Sequence, residues 1–383
     1  MKVLHTITGF GSSRGGTSTC TYDLLSAINR LVPGVDLLSP DVADPTDKLM
    51  GHGEPWIKLF PNDCRTSYSY SPNNRKAIEQ SHYDLYHTNG LWSHVNHVTC
   101  AFARKVGKPY VITTHGMLYP EAVKRSRWKK IPFELLFFRK DILEASCIHV
   151  TCETELRHVR NYGYKGPVAI IGNPVAIPPY IEEITAKSVH IHSRATLGFL
   201  GRLHPIKQAE RLLYGVALLP DPSAVDVVIM GKGDDAYEDF LRKEVQRLGL
   251  ENVSFKGFVS GRDKFESLAS MSALFVPSDM ENFGMIIPEA LLVKTPVMAS
   301  LGTPWEQLND NRCGWWVDNS PESIRDVILK ILSSSPEELL EMGERGAKLV
   351  KEKYSDYEIA RQMISLYAWL LGNRPKPEFV DTL

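Results

Sequence analysis

Four residues of this chain have the types and spacing to do chemistry: Glu281 and Glu289, eight positions apart, and Arg202 and Lys207, five apart. A carboxylate pair has several uses. Acting as acid and base, the two would stand on opposite faces of a scissile glycosidic bond. Acting as acceptors, Glu289 would take the vicinal diol of a ribose and Glu281 the hydroxyls of a sugar. Asp279-Met280-Glu281 also has the composition of a Mg²⁺ or Mn²⁺ site, but the chain contains no Asp-x-Asp. The cations favour one use. Arg202 and Lys207 leave a Gly-Arg turn together and suit a diphosphate, and carboxylates beside a diphosphate fit a nucleotide sugar better than a hydrolase substrate.

These residues need elements to hold them at one place. Ala273 to Pro277 is an apolar run of strand type, Ser278 to Gly284 a polar loop, and Met285 to Val293 has helical spacing with Pro288 tolerable in a first turn. Strand, loop, helix puts backbone N–H groups and the positive helix end at the carboxyl edge of a sheet, where anions bind. The second half repeats this rhythm. Thr196 to Leu200 runs into Gly201-Arg202-Leu203, Val225 to Met230 into Gly231, and Val253 to Phe255 into Gly257-Phe258-Val259, with helical segments between. Base contact is expected from the backbone near Gly257 to Val259.

The first half shows the same alternation. Lys2 to Ile7 reads as a strand, followed by a turn of little bulk ending in Gly15-Gly16 and a helix from about Thr19 to Leu31. That turn permits close approach of backbone to a phosphate or sugar. It has neither the Gly-Lys-Ser/Thr of a Walker loop nor the G-x-G-x-x-G spacing. Residues 33 to 75 read as a loop-rich excursion. Strands at Tyr83 to His87, Tyr110 to Thr114 and Cys147 to Thr151 alternate with helices at Val95 to Lys105 and Lys130 to Ala145, the pattern of a parallel, doubly wound sheet. At one strand end stands Thr114-His115-Gly116, and His115 is expected to be functional. His87, His94, His97 and His115 bring zinc to mind, but no carboxylate or cysteine is spaced to complete a tetrahedral site.

At 383 residues two domains are expected, and 43% apolar with 23% charged residues is an ordinary globular composition. No signal sequence or run of about 18 apolar residues occurs, so a cytoplasmic protein is expected. The six cysteines lack a C-x-x-C pair and read as reduced. Residues 1 to 175 hold 21 Lys+Arg against 15 Asp+Glu, whereas the remainder holds 23 against 30. Residues 123 to 140, VKRSRWKKIPFELLFFRK, interleave basic and aromatic side chains and suit either the headgroup region of an anionic membrane or a core helix with a solvated basic face. Nucleic acid is disfavoured by the neutral overall balance. Ile170 to Pro179 ends a strand and then becomes rich in proline, residues 180 to 194 lack a core pattern, and this stretch reads as the interdomain linker.

Taken together, Gly201-Arg202-Leu203 with Lys207, Glu281-Asn282-Phe283-Gly284 with Glu289, and Lys294-Thr295-Pro296-Val297 resemble the retaining glycosyltransferases of family 4, which have the GT-B fold. Gly15-Gly16, Thr114-His115-Gly116 and the terminal helix extend the resemblance over nearly the whole chain. His115-Gly116-Met117, Thr303-Pro304-Trp305 and Cys313-Gly314-Trp315-Trp316 are similar to bacterial members of exopolysaccharide, capsule or lipopolysaccharide assembly.

The resemblance implies two Rossmann-like domains facing across a cleft, residues 1–176 for the acceptor and 177–365 for the donor, with a terminal helix, 366–383, returning to the first. It implies transfer of a hexose-type sugar from a UDP- or GDP-sugar to a glycan or lipid-linked acceptor, without metal or other cofactor. Arg202 and Lys207 would hold the diphosphate and Glu289 the ribose. Glu281, Asn282 and the backbone of Phe283, Gly284, Met285 and Ile286 would hold sugar and phosphate. Gly15, Gly16, Gly231, Phe258 and Val259 complete the expected donor contacts, and His115 would sit near the sugar. Pro288, just before the second Glu, departs from the family pattern. An epimerase or phosphorylase on the same plan, or a silent nucleotide-binding protein, are the rival expectations.

Overall fold

A computed structural model describes residues 1–12, 15–61, 68–120, 122, 137–187 and 194–383. The chain forms two compact units, one of Met1–Pro174 with Asp356–Leu383 and one of Val175–Ser355. Each is a sheet with helical crossovers. The first unit contains β1 (Val3–Ile7), β2 (Val35–Ser39), β3 (Ile57–Leu59), β4 (Leu85–Asn89), β5 (Tyr110–Thr113), β6 (Cys147–Val150) and β7 (Val168–Ile170). The second contains β8 (Ala195–Leu200), β9 (Val225–Met230), β10 (Val253–Gly257), β11 (Ala273–Val276), β12 (Val297–Ser300) and β13 (Gly314–Val317). All of these pair in parallel, so the loops after them leave each sheet at one edge. Every residue of β1, β4, β11 and β12 is buried, as expected where helices cover both faces of a parallel sheet.

Strand order in the second unit is β10-β9-β8-β11-β12-β13, which reverses direction between β8 and β11. That switch point lies between the two strands whose loops carry Arg202 with Lys207 and Glu281. In such sheets the crevice at the switch point is the place for a ligand.

The first unit closes with the end of the chain. The helix Asp356–Leu370 packs on the helix Gly16–Leu31. The segment expected to be helical over 366–383 leaves the helix at Leu370 and ends in β14 (Val380–Asp381), which pairs antiparallel with β7 at the sheet edge. Arg160 fastens it with an ion pair to Asp381.

The same helix threads a polar chain through the sheet. Tyr367 OH lies 2.7 Å from both His5 Nε2 and His87 Nδ1. From His87 the contacts continue through Nε2 to Thr113 Oγ1 (2.6 Å), from Thr113 to His149 Nδ1 (2.8 Å), and from His149 Nε2 to Ile171 O (2.8 Å). Burial, helped by neighbouring histidines, lowers His5 to a pKa of about 3 and His87 well below its ordinary value, and burial takes His149 to about 4. All three are neutral. One pattern of protons then satisfies every atom. Ile171 O only accepts, so His149 carries its proton on Nε2 and Thr113 donates to Nδ1; His87 donates from Nε2 to Thr113 and accepts from Tyr367, whose oxygen accepts from His5 Nε2–H. Asn89 Nδ2 supplies the last two donors, to His5 Nδ1 and Thr6 O, each 3.2 Å away.

The boundary between the units falls at Pro174 and Val175, inside the proline-rich part of the expected linker, but residues 180–187 do not belong to it. Ile181–Lys187 is a helix that buries Ile181 and Ile184 in the core of the second unit beside Phe265 and Ile287. Two apolar residues three apart are too few to stand out as a period against the flanking charges. Of the basic-aromatic stretch, residues 123–136 lie outside the described residues, while Phe138 is buried against Trp92 (5.5 Å between centroids) and Phe137 meets the His97 ring at 4.9 Å.

Candidate functional site

The carboxyl edge of the second sheet gathers the residues singled out by spacing. After β8, the turn Gly201–Leu203 runs alongside the turn Gly231–Gly233 after β9: Gly201 N donates to Met230 O (3.1 Å), Leu203 N to Lys232 O (3.3 Å) and Asp234 N to Leu203 O (3.0 Å). A methyl group at Gly231, where φ is 133°, would lie 1.8 Å from Gly201 O, so both its conformation and its closeness require glycine. Arg202 is thereby held at the rim with its side chain exposed and, among the described residues, with no ion pair. Lys207 closes a short 3₁₀ turn, Pro205–Lys207, and its ammonium pairs with Glu281 Oε1, which also accepts from Ser278 Oγ at 2.9 Å.

Glu281 sits in a loop braced from β12. Its N–H donates to Gly302 O (2.9 Å), Ser300 Oγ donates to Ser278 O, and Trp305 Nε1 donates to Phe283 O (2.5 Å). Trp305 is buried, with Phe283 and Tyr354 ring centroids 5.4 and 5.3 Å away. Thr303-Pro304-Trp305 therefore supports the loop, and Trp316 Nε1 in turn donates to Thr303 O (2.9 Å). Gly284 (φ 77°) then turns the chain into the helix Ile286–Leu292. Pro288 is accommodated in its first turn, where no intrahelical N–H is needed, and Glu289 N still reaches Met285 O (3.3 Å). With only seven residues the helix has a modest dipole, so side-chain cations carry more of the anion attraction than the sequence suggests.

Glu289 brings an unforeseen partner. Lys264 Nζ, from the helix Gly261–Ala269, lies 2.6 Å from Glu289 Oε1. The two carboxylates are thus not a coupled pair: each has its own lysine. Phe258, 73% exposed, projects from the turn just before that helix, beside Val259. Asn282 and Met285 share the Glu281 loop.

Gly15, Gly16 and His115 belong to the first unit. Gly15 has φ 82°, and a methyl on either glycine would meet nothing within 4 Å, leaving open space over the start of the helix Gly16–Leu31. His115 has φ 47°, in the left-handed region, and its buried Nε2 finds no hydrogen-bond partner among the described residues. Burial, with repulsion from His149, pushes its pKa down to about 3. The residues beside it are fixed by Glu155, a fully buried carboxylate. Thr114 Oγ1 (2.6 Å) and Gly116 N (2.5 Å) donate to one of its oxygens, and Thr151 N (2.8 Å) and Oγ1 (3.1 Å) to the other.

His87 is absorbed into the buried chain, and His97 has Asp141 at 2.7 Å, a partner 44 positions away that local spacing does not reveal and that is itself held by Arg104 at 2.6 Å. Among the described residues, no group of three or more His, Cys, Asp or Glu forms a metal cluster.

Two family profiles match the chain: Glycosyltransferase Family 4 over residues 14–177 and Glycosyl transferases group 1 over residues 181–349. The chain belongs to glycosyltransferase family 4. Among relatives of this family, the D-inositol 3-phosphate glycosyltransferase of Streptomyces avermitilis is 27% identical over 290 residues, 70% of this chain and 61% of that protein. The chain spans less than two thirds of the length of the curated relatives it matches first, at 43%, 61% and 64%. Anabaena HepE, solved with UDP, superposes with a TM-score of 0.74 at 19% identity, covering 96% of this chain and 100% of that one. Sucrose-phosphate synthase of Thermosynechococcus elongatus gives 0.73 at 20% identity over 98% and 100%. At such identities the likeness is one of fold, and the family 4 chain shares it over both units.

Proposed function

We propose that this protein is a retaining glycosyltransferase that moves a hexose-type sugar from a UDP- or GDP-sugar to a glycan or lipid-linked acceptor in bacterial exopolysaccharide, capsule or lipopolysaccharide assembly, without metal. The observation that carries this reading is the pairing of Lys207 with Glu281 and of Lys264 with Glu289 at one sheet edge. In the absence of donor, each carboxylate is neutralised by a cation that a diphosphate can recruit. On this reading the diphosphate takes Arg202 and Lys207, Glu281 turns to the sugar hydroxyls with the loop from Asn282 to Ile286, and Glu289 receives the ribose diol. Phe258 and Val259 meet the base, Gly231 keeps the turn after β9 close, and Gly15, Gly16 and His115 serve the donor from the first unit.

Charge on the leaving diphosphate develops in the transition state, and cations already in place stabilise it there. The departing phosphate then takes the acceptor's proton on the same face, and configuration is retained. The neutral His115 imidazole has a nitrogen available to hydrogen-bond the sugar. Among the described residues no helix is long and apolar enough to cross a membrane. The basic-aromatic stretch 123–140 is proposed as a peripheral contact with anionic lipid, on the cytoplasmic side. Replacing Arg127, Lys129 and Lys130 would then weaken sedimentation with anionic vesicles, and unchanged binding would remove this part of the proposal.

The deciding experiment incubates the protein with UDP- and GDP-sugars in chelator, with and without glycan and lipid acceptors, and measures free nucleoside diphosphate. Arg202→Ala and Glu281→Ala are each expected to lower turnover on the order of 100- to 1,000-fold with the fold intact. Near-normal turnover in both variants, or donor binding without turnover across the panel, contradicts the proposal.

A further inference from the structure

Glu155 stands at the third position of the helix Glu153–Tyr162, where a glutamate commonly turns back to cap the entering chain. One of its oxygens does so, taking the N–H and hydroxyl of Thr151. The other leaves its own helix for the end of β5, taking Thr114 Oγ1 and Gly116 N on either side of His115. A cap alone requires neither. The carboxylate is also fully buried, a costly position that its four donors offset.

The segment it grips is unusual in its backbone. His115 and Gly116 take φ values of 47° and 73°, and a left-handed histidine persists where its surroundings hold it. The remaining backbone contacts here are few: Thr114 N to His149 O at 3.4 Å, Met117 N to Thr114 O at 3.0 Å and Tyr119 N to Gly116 O at 3.1 Å. Glu155 supplies the short bonds.

We propose that Glu155 is a positioning residue for catalysis: by tying Thr114 and Gly116 to the end of β6, it fixes the backbone of His115 and so the direction of its imidazole. This rests on the reading of His115 as a sugar contact. A purely structural carboxylate would make both of its oxygens matter alike. A positioning residue makes the Thr114 side matter for the imidazole and the Thr151 side matter for stability alone.

The test compares Thr114→Val and Thr151→Val, which each remove one hydroxyl donor to Glu155, with Glu155→Gln and His115→Ala. Two readouts are taken: the imidazole ¹H–¹³C NMR signal of His115, assigned by its loss in His115→Ala, and release of UDP from UDP-glucose and of GDP from GDP-mannose. Thr114→Val and Glu155→Gln are expected to displace the His115 signal and lower kcat on the order of 10- to 100-fold with little change in donor KM. Thr151→Val should leave both near wild type while losing comparable thermal stability. If Glu155→Gln does not fold, the two threonine variants decide the matter. Equal displacement of the His115 signal by both threonine variants, or by neither, overturns the proposal. Undiminished turnover in His115→Ala instead overturns the role given to His115, and the NMR comparison still reports whether Glu155 orients it.

Discussion

The two sheets share a parallel plan but spend their polar groups differently. Every buried histidine and carboxylate among the described residues, His5, His87, His94, Asp141, His149 and Glu155, lies in the first unit. The second unit buries no histidine or carboxylate among the described residues, and the two ion pairs of its candidate site lie at the carboxyl rim, where Lys207 and Lys264 are 23% and 22% exposed. A buried network requires each member to be satisfied, so it holds one geometry and resists compromise. A rim pair is cheap to break. On the proposed function, the first unit is built to be fixed and the second to exchange internal partners for a ligand.

Acid should separate the two most strongly. Unfolded histidines take up protons as pH falls below about 6.5, whereas His5, His87 and His149 in the folded chain remain neutral to far lower pH. The unfolded state then binds more protons, so stability is full above that value and falls with pH, by up to about 4 kcal/mol per pH unit for three such groups. In the second unit, Asp221, Asp318 and Glu244 are held low by hydrogen bonds to Ser223, Ser320 and Arg247, and their stabilisation is lost only as pH falls toward the carboxylate range. Hydrogen exchange corrected for intrinsic rate, followed from pH 7.5 to 5, should show protection failing first in the first unit. Simultaneous loss in both would contradict this contrast.

A smaller effect is expected from Tyr367→Phe, which deprives the His5 Nε2 donor and the His87 Nδ1 acceptor of a common partner. The cost should be about 2–3 kcal/mol in urea unfolding. A change within about 0.5 kcal/mol, as at an ordinary surface site, would mean that water replaces the hydroxyl. Smallest in stability is Lys264→Met, since a single ion pair at the solvent-facing rim contributes about 1 kcal/mol. It should nevertheless change donor KM by about 3- to 10-fold, the equivalent of roughly one charge-assisted contact. An unchanged KM would separate Glu289 from donor binding.

Local order carried most of what could be read in advance. The strand-to-loop junctions at Gly201, Gly231 and Ser278 follow from apolar runs meeting glycine and polar residues, and parallel pairing makes their common edge a consequence of topology. Partners distant in sequence left no such trace. Lys264 reads as one charge among several on a helix surface, and nothing local connects it to Glu289, 25 positions away. Glu155 had a faint sign, a threonine at a strand end with a glutamate four residues on, but its second set of bonds depends on β5 and β6 being neighbours. The histidine chain was hidden for the same reason: His5, His87, His149 and Tyr367 come from three strands and the last helix.

The course of the chain, leaving the first unit at Pro174 and returning at Asp356, has a consequence for how the molecule is made. At ribosomal rates of 5–20 residues per second, about 10–40 s separate the synthesis of the first seven strands from that of Tyr367. During that interval the nascent first unit lacks the hydroxyl that joins His5 to His87, and before it ends the second unit has all of its residues and can fold. Order of synthesis and order of completion are thus reversed, and the half of the molecule with the more exacting interior is the last to be finished.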